Sequence, residues 1–193
     1  MRINIFGKLV ILIILVSFYS PVLKAEDSRT IPLEMNLIID GSTALKNSKN
    51  DTVAWISAQV VDRILKEGDK ITVWVAGDKA QVVYSDTISN SDGKKGIKDK
   101  LSALDTEGKT ADFAGALRDA SARVSQTPQS RLAYTMLITA SAEGLRPVLT
   151  GNSQGLLRWF RSEKYERWQV LIVAPDIGQK VQQAARAYMS SRS

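Results

Sequence analysis

A continuous apolar run that ends in a carboxylate constrains this chain more than any other stretch. Leu37, Ile38 and Ile39 show no alternation with polar residues, and Asp40 follows them directly. A strand that is apolar on both faces is typical of the centre of a parallel sheet covered by helices. Asp40 and the small hydroxyl-bearing residues after it are therefore predicted to lie at the carboxyl end of that strand, where open α/β sheets bind ligands.

The rest of the chain alternates helical and strand patterns. Apolar residues between 53 and 64 recur every three to four positions, which indicates an amphipathic helix. The alternating stretch 70–76 and a second short strand at 81–84 flank a turn, and together they predict a β-hairpin. Residues 91–96 are interpreted as a loop. Further helices are predicted at 97–104, 113–124, 153–160 and 177–189, and further strands at 133–139 and 168–174.

This order of elements predicts a single α/β fold class. The expected architecture is doubly wound, with a mostly parallel central sheet, one antiparallel edge strand and helices on both faces. A flavodoxin-like or Rossmann domain is the alternative within that class. No Gly-x-Gly-x-x-Gly or P-loop sequence follows any predicted strand, so the chain shows no phosphate-binding loop.

The first 25 residues are predicted to be a secretory signal peptide. Arg2 and Lys8 form a basic start, residues 9–19 form an apolar core, and residues 23–25 precede a candidate cleavage point. The apolar run is shorter than the roughly 20 residues of a membrane-spanning helix, although an uncleaved anchor is an alternative. The predicted organisation is a signal peptide at 1–25, a polar lead-in at 26–34, one domain at 35–190 and a tail at 191–193. We therefore expect a periplasmic or secreted protein.

Composition and charge argue against several functions. Removing Arg2, Lys8 and Lys24 with the signal peptide leaves 23 basic and 20 acidic residues, so the formal charge falls from +6 to +3. Both signs are interspersed along the chain, and nucleic-acid binding is not expected. The lysine-rich run at 94–95 is interpreted as solvated surface in preference to a docking patch.

The chain contains neither histidine nor cysteine. The absence of histidine excludes Ser-His-Asp catalysis, histidine-based zinc sites and the usual near-neutral general base. The absence of cysteine means that an exported domain must be stabilised by its core alone. Lysine or carboxylate chemistry could substitute for histidine, although no sequence feature calls for either. A carboxylate enzyme would use Asp40 or Glu143 as a base and would need a cleft that holds both side chains.

Two short loops resemble a known family. The sequence Asp40-Gly41-Ser42-Thr43-Ala44 resembles the Asp-x-Ser-x-Ser loop of von Willebrand factor type A (vWA) domains, with Ala44 in place of the last serine. Gly108-Lys109-Thr110 resembles the family's second loop, in which a threonine precedes a helix. Without that family, the same residues would be interpreted as turns that cap helices. The resemblance extends from about residue 35 to about residue 189.

In that family the two loops contribute to a metal-ion-dependent adhesion site, usually occupied by magnesium. The resemblance therefore implies Asp40, Ser42 and Thr110 as metal ligands. In the family an aspartate after the strand that corresponds to 133–139 completes the metal site, and here Ala140 takes its place. Magnesium needs near-octahedral oxygen coordination, usually including carboxylates. Because Ala44 and Ala140 supply no side-chain oxygen, we expect a degenerate site and no tightly bound metal or other cofactor.

The resemblance implies a function in protein–protein recognition. The first hypothesis is a non-catalytic module that binds a protein partner in the cell envelope through the loops at the carboxyl ends of its strands. The second is metal-dependent adhesion with residual magnesium or calcium binding, and the third is the carboxylate enzyme described above. The candidate partner-binding residues are Asp40, Ser42, Thr43, Thr110, Ser141 and Glu143.

Overall fold

The computed structural model describes residues 29–140, Leu145, Val148 and residues 168–174. Within these residues the strands are β1 (Leu33–Asp40), β2 (Lys70–Ala76), β3 (Ala80–Thr87), β4 (Leu132–Ile138) and β5 (Trp168–Val173). The helices are α1 (Lys49–Trp55), α2 (Ser91–Ser102) and α3 (Phe113–Val124). A 3₁₀ helix at Thr43–Ser48 leads into α1, and a π-helical segment at Ile56–Asp62 continues it.

The five strands form one sheet in the order β3-β2-β1-β4-β5. Strand β1 is central and pairs in parallel with both β2 and β4, so that Leu37 lies between Val73 and Met136. Strand β5 extends the parallel part, and β3 runs antiparallel along one edge. The predicted mostly parallel sheet with one antiparallel edge strand is confirmed.

Helices cover both faces of this sheet. On one face, α1, its π-helical continuation and α2 bury residues such as Ile56, Val60 and Leu101 against Leu37 of β1. On the other face, α3 buries an apolar stripe against Ile38 and its neighbours. Because successive residues of β1 face opposite layers, a continuous apolar run is needed to serve both cores.

The second core contains polar groups that the apolar pattern of β1 did not predict. Asn36 of β1 is buried, and its side-chain oxygen accepts a hydrogen bond of 3.2 Å from the indole N–H of Trp74. On β4, the hydroxyl of Thr135 accepts a bond of 2.8 Å from the indole N–H of Trp168. Both tryptophans therefore lie in the core with their N–H groups satisfied.

The amino edge of the sheet is closed by an ion pair between distant residues. The guanidinium of Arg29 donates to both oxygens of Asp69, at 2.7 and 2.8 Å. The main-chain N–H groups of Leu33 and Lys66 also donate to this carboxylate, each at 2.8 Å. These bonds fasten the segment before β1 to the loop before β2, so the central strand is held at its start.

The interpretation of residues 91–96 as a loop is wrong. These residues form the first half of α2, which begins at Ser91. The helix is possible despite Gly93 and Gly96 because Asn90 caps it: its side-chain oxygen accepts hydrogen bonds from the N–H groups of Asp92 and Gly93. The capping bonds and the burial of the helix against the sheet outweigh the low helix propensity of the two glycines.

Several predictions concern residues outside the described ranges. These are the signal peptide at 1–25 and the helices at 153–160 and 177–189. Among the residues that the structure does describe, none of the helices combines the length and the apolar character needed to cross a membrane.

The Arg29–Asp69 pair predicts a specific acid sensitivity. Burial alone would raise the pKa of Asp69, but the hydrogen bonds from Arg29, Leu33 and Lys66, with the charge of Arg29, together lower it below the ordinary 3.8. A lowered carboxyl pKa contributes stability that is complete above the unfolded-state pKa and is lost as the pH falls through the folded-state value. Asp69→Asn should therefore destabilise the protein by about 3 kcal/mol at pH 7, measured by urea unfolding.

The difference between the wild type and Asp69→Asn should shrink below about pH 4. Asp62→Asn is the matched control, because the Asp62 carboxylate is exposed and forms an ion pair with Lys98, so its loss should cost less than about 1 kcal/mol. A difference between wild type and Asp69→Asn that stays constant down to low pH would contradict this account.

Candidate functional site

Three loops meet at the carboxyl edge of the sheet. We call them the rim: residues 41–44 after β1, 77–79 between β2 and β3, and 108–112 before α3. Main-chain hydrogen bonds join the first loop to the end of β2 and to the third loop: Gly41 N–H donates to the carbonyl of Ala76 at 2.8 Å, and Thr43 N–H donates to the carbonyl of Gly108 at 2.8 Å. The N–H of Gly108 donates back to Gly41 at 3.1 Å. The first and third loops are thus joined as a short extension of the sheet.

Glycine is required where these loops approach one another. A Cβ on Gly41 would lie 2.5 Å from a methyl group of Val75 and 3.0 Å from the main-chain nitrogen of Gly77. A Cβ on Gly108 would lie 2.9 Å from the carbonyl oxygen of Gly41. Both glycines have ordinary φ angles, so it is the close contact between main chains, and not a left-handed conformation, that excludes a side chain.

The carboxylate of Asp40 is buried beneath the rim, with 3% of the residue exposed. One of its oxygens accepts hydrogen bonds from the N–H and the hydroxyl of Ser42, at 2.9 and 2.6 Å. The other accepts from the N–H of Ala140 at 3.0 Å and from the hydroxyl of Thr139 at 3.4 Å. Asp40 therefore joins the loop after β1 to the end of β4, and both of its oxygens are occupied by groups of the chain itself.

Thr110 makes its bonds to a different acid. Its N–H and its hydroxyl both donate to one oxygen of Asp78, at 2.8 and 3.1 Å. The N–H of Thr110 is the main cause that lowers the pKa of Asp78; burial opposes it, while the Thr110 hydroxyl and Lys109 add to it. Asp78 lies in the β2–β3 turn, so this pair holds the second and third loops together at the exposed surface of the rim.

Asp112 fixes the direction in which α3 leaves the rim. It caps the helix by accepting a bond of 2.8 Å from the N–H of Gly115, and its own N–H donates to Gly77 at 2.8 Å. The cap needs glycine at 115, because a Cβ there would overlap the Asp112 carboxylate. The amino end of α3 is thus tied to the β2–β3 turn.

The predicted site residues have different roles in this arrangement. Asp40 and Ser42 lie together but are buried, whereas Thr43 and Thr110 are exposed on the rim. Ser141 and Glu143 lie outside the described residues. Asp78 is not among the predicted site residues, although an aspartate in a turn after the second strand of a parallel pair falls at the same edge of the sheet as Asp40.

The donor set of the rim does not fit a tightly bound magnesium ion. Ala44 and Ala140 stand where the resemblance calls for oxygen ligands, and the hydroxyl of Thr110 is directed to Asp78. The two oxygens of Asp40 already accept four hydrogen bonds from the chain. In the described part of the chain, no three acidic, histidine or cysteine residues are grouped so that they could hold a metal. Magnesium is usually held through one or two carboxylates, and the one carboxylate that the resemblance retains, Asp40, is engaged by the chain itself.

Comparisons with known proteins support the fold. No family model and no curated protein sequence matches the chain. Among solved structures, it is similar to a von Willebrand factor type A protein from Catenulispora acidiphila, with 16% identity and a TM-score of 0.50 over 78% of this chain and 42% of the other. It is also similar to proximal thread matrix protein 1 from the mussel byssus, with a zinc-occupied MIDAS motif, at 10% identity and a TM-score of 0.53 over 75% and 38%.

These likenesses define the class of fold. Together with the sheet order and the antiparallel edge strand, they show that the chain has the fold of a von Willebrand factor type A domain. The chain spans about two fifths of the length of these structures.

The close packing of the rim predicts that two glycine substitutions change the free energy of unfolding in opposite directions. Gly41→Ala should destabilise the protein by about 1–3 kcal/mol, because Val75 and the Gly77 main chain must move to admit a methyl group. Gly96→Ala is the control: its Cβ would make ordinary contact, 3.6 Å from the Tyr84 ring. In the interior of α2 the change should stabilise by about 0.5–1 kcal/mol. Chemical denaturation measures both, and equal effects would contradict the close approach at Gly41.

Proposed function

We propose that this chain is a non-catalytic vWA-fold module that binds a protein partner through its rim, without a tightly bound metal. The observation that carries the proposal is the internal bonding of Asp40. A carboxylate that is buried and accepts four hydrogen bonds from the chain holds the loops in place, and it leaves exposed side chains such as Thr43, Asp78 and Thr110 for contact.

The chemistry of the chain favours recognition over catalysis. The sequence has no histidine and no cysteine, and Asp40 is enclosed by its own loop. A general base must reach a substrate proton within hydrogen-bonding distance, and Asp40 faces Ser42 and Ala140 instead. The fold is shared with proximal thread matrix protein 1 from the mussel byssus, whose structure has a zinc-occupied MIDAS motif; the module proposed here differs in having no tightly bound metal.

The proposed setting is the cell envelope. The amino-terminal segment has the charge and hydropathy pattern of a secretory signal peptide. A cysteine-free domain with two extensive apolar cores needs no disulfide to remain folded after export. The partner proposed is therefore another protein of the periplasm or of the extracellular side of the envelope.

Removing the exposed hydroxyls of the rim should weaken partner binding. The variant Thr43→Ala with Thr110→Ala should lose the proteins that the wild-type chain retains from the envelope of the producing cell, measured by quantitative pull-down. Thr30→Ala with Thr87→Ala is the matched control, because these two exposed threonines lie at the opposite edge of the sheet. Loss of the same proteins by both variants, or by neither, would contradict a role for the rim.

Restoring the two absent oxygen ligands should create metal dependence. In about 1 mM magnesium, the melting temperature of the wild type should rise by less than about 1 °C, because few ligands are free to bind the ion. Ala44→Ser with Ala140→Asp adds a hydroxyl and a second carboxylate beside Asp40. This variant should be less stable in EDTA, and magnesium should raise its melting temperature by about 5 °C.

Differential scanning calorimetry measures both melting temperatures. A rise of several degrees for the wild type in magnesium would contradict the metal-free proposal, and it would favour metal-dependent adhesion.

A further inference from the structure

One polar group in the second core lacks a hydrogen-bond acceptor. Asn36 of β1 is buried, with 1% of the residue exposed, and its side-chain oxygen accepts from the indole N–H of Trp74. Among the residues that the structure describes, no group accepts a hydrogen bond from its side-chain nitrogen, Nδ2. Exchanging the two ends of the amide does not help, because Nδ2 would then face the N–H donor of Trp74. The orientation of the amide is therefore fixed by Trp74.

A buried donor of this kind needs an acceptor from another source. Leaving a buried N–H unsatisfied costs the free energy of removing it from water, and native proteins satisfy nearly all such groups. Where no side chain is within reach, an ordered internal water takes this role, and it typically makes about three hydrogen bonds. A water at Nδ2 therefore requires further polar groups close to Asn36.

Two polar side chains lie on the side of Asn36 to which Nδ2 is directed. The side-chain oxygen faces Trp74 on β2, so Nδ2 faces away from β2 and toward β4. Thr135 is the register partner of Asn36 on β4, and its side chain projects into the same layer. Glu34 lies two positions before Asn36 on β1 and projects into this layer as well. Both are buried, with 0% of Thr135 and 8% of Glu34 exposed.

Two tryptophans enclose these polar atoms. Trp74 donates to Asn36, and Trp168 on β5 donates to the hydroxyl oxygen of Thr135 at 2.8 Å. Each tryptophan is 4% exposed, so the side chains between them are shielded from bulk solvent. Because the hydroxyl oxygen of Thr135 accepts from Trp168, the hydroxyl hydrogen can donate to a different group.

We propose that one ordered water binds between Asn36 and Thr135. Its oxygen accepts from Nδ2 of Asn36 and from the hydroxyl of Thr135, and one of its hydrogens donates to the carboxylate of Glu34. These three partners are the number that internal waters usually have. A metal cation does not fit, because Nδ2 carries hydrogens and offers no lone pair.

The water connects the same two strands that Asp40 joins at the rim. Asp40 lies four positions after Asn36 on β1, on the same face of the sheet, and it bonds to Thr139 and Ala140 at the end of β4. The side chains of β1 and β4 are therefore linked at two levels, by a carboxylate at the rim and by a water in the core. This inference is independent of the proposed function.

NMR spectroscopy of the ¹⁵N-labelled chain tests the site. The side-chain amide signals of Asn36 are assigned by their loss in Asn36→Asp. Their hydrogens should show a nuclear Overhauser effect with water that has opposite signs in the laboratory and rotating frames. This sign pattern identifies a long-lived bound water and distinguishes it from chemical exchange of the amide hydrogens. The exposed side-chain amide of Asn50 is the internal control and should not show it.

A matched pair of substitutions locates the second partner of the water. Thr135→Val keeps the shape of the side chain but removes the hydroxyl, and it should abolish the effect at Asn36. Thr135→Ser keeps the hydroxyl and should retain it. The indole N–H signals of Trp74 and Trp168 verify that both variants fold. Absence of the effect at Asn36 in the wild type overturns the proposal even if a variant does not fold, and its persistence in folded Thr135→Val overturns the bridge to Thr135.

Discussion

The structure depends on one buried carboxylate that connects two neighbouring parallel strands at the edge where loops emerge. Asp40 accepts bonds from the loop after β1 and from the end of β4, so the two loops cannot separate without leaving a buried charge unpaired. An unpaired buried charge is costly, and this cost fixes the geometry of the rim. The main-chain bonds between Thr43, Gly108 and Gly41 then align the remaining loops on that fixed point.

The sequence predicted the layers of the fold better than the details of the site. Continuous apolar runs identify β1 and β4 as strands with two buried faces, and alternation in residues 70–76 identifies β2 correctly. Local sequence patterns reveal these strands because the burial of side chains follows a regular order along a strand, and apolar residues mark the buried positions. The helix at 91–96 was missed because its stability comes from the Asn90 cap and from burial against the sheet, and both act against the local propensity of the glycines.

The site could be predicted only in part, because contacts between residues distant in the sequence decide its details. The sequence brings Asp40, Ser42 and Thr110 to one edge, but spacing along the chain does not determine which acid a hydroxyl will meet. Thr110 bonds to Asp78, a residue 32 positions away that the sequence shows only as part of a turn. Asp40 accepts a hydrogen bond from the N–H of Ala140, and this bond helps to decide that the carboxylate faces its own loop and not a ligand. The donor is a main-chain group, so the residue type at position 140 does not indicate it.

The Arg29–Asp69 pair at the opposite edge bears on where the proposed signal peptide could be removed. Arg29 follows shortly after Ala25 in the sequence, and its guanidinium reaches across to Asp69. A peptidase that cuts after Ala25 leaves this arginine in the product, whereas a cut only a few residues later removes it. An amino terminus that retains Arg29 is fastened to the loop before β2, whereas one that lacks it would lose this attachment and fray.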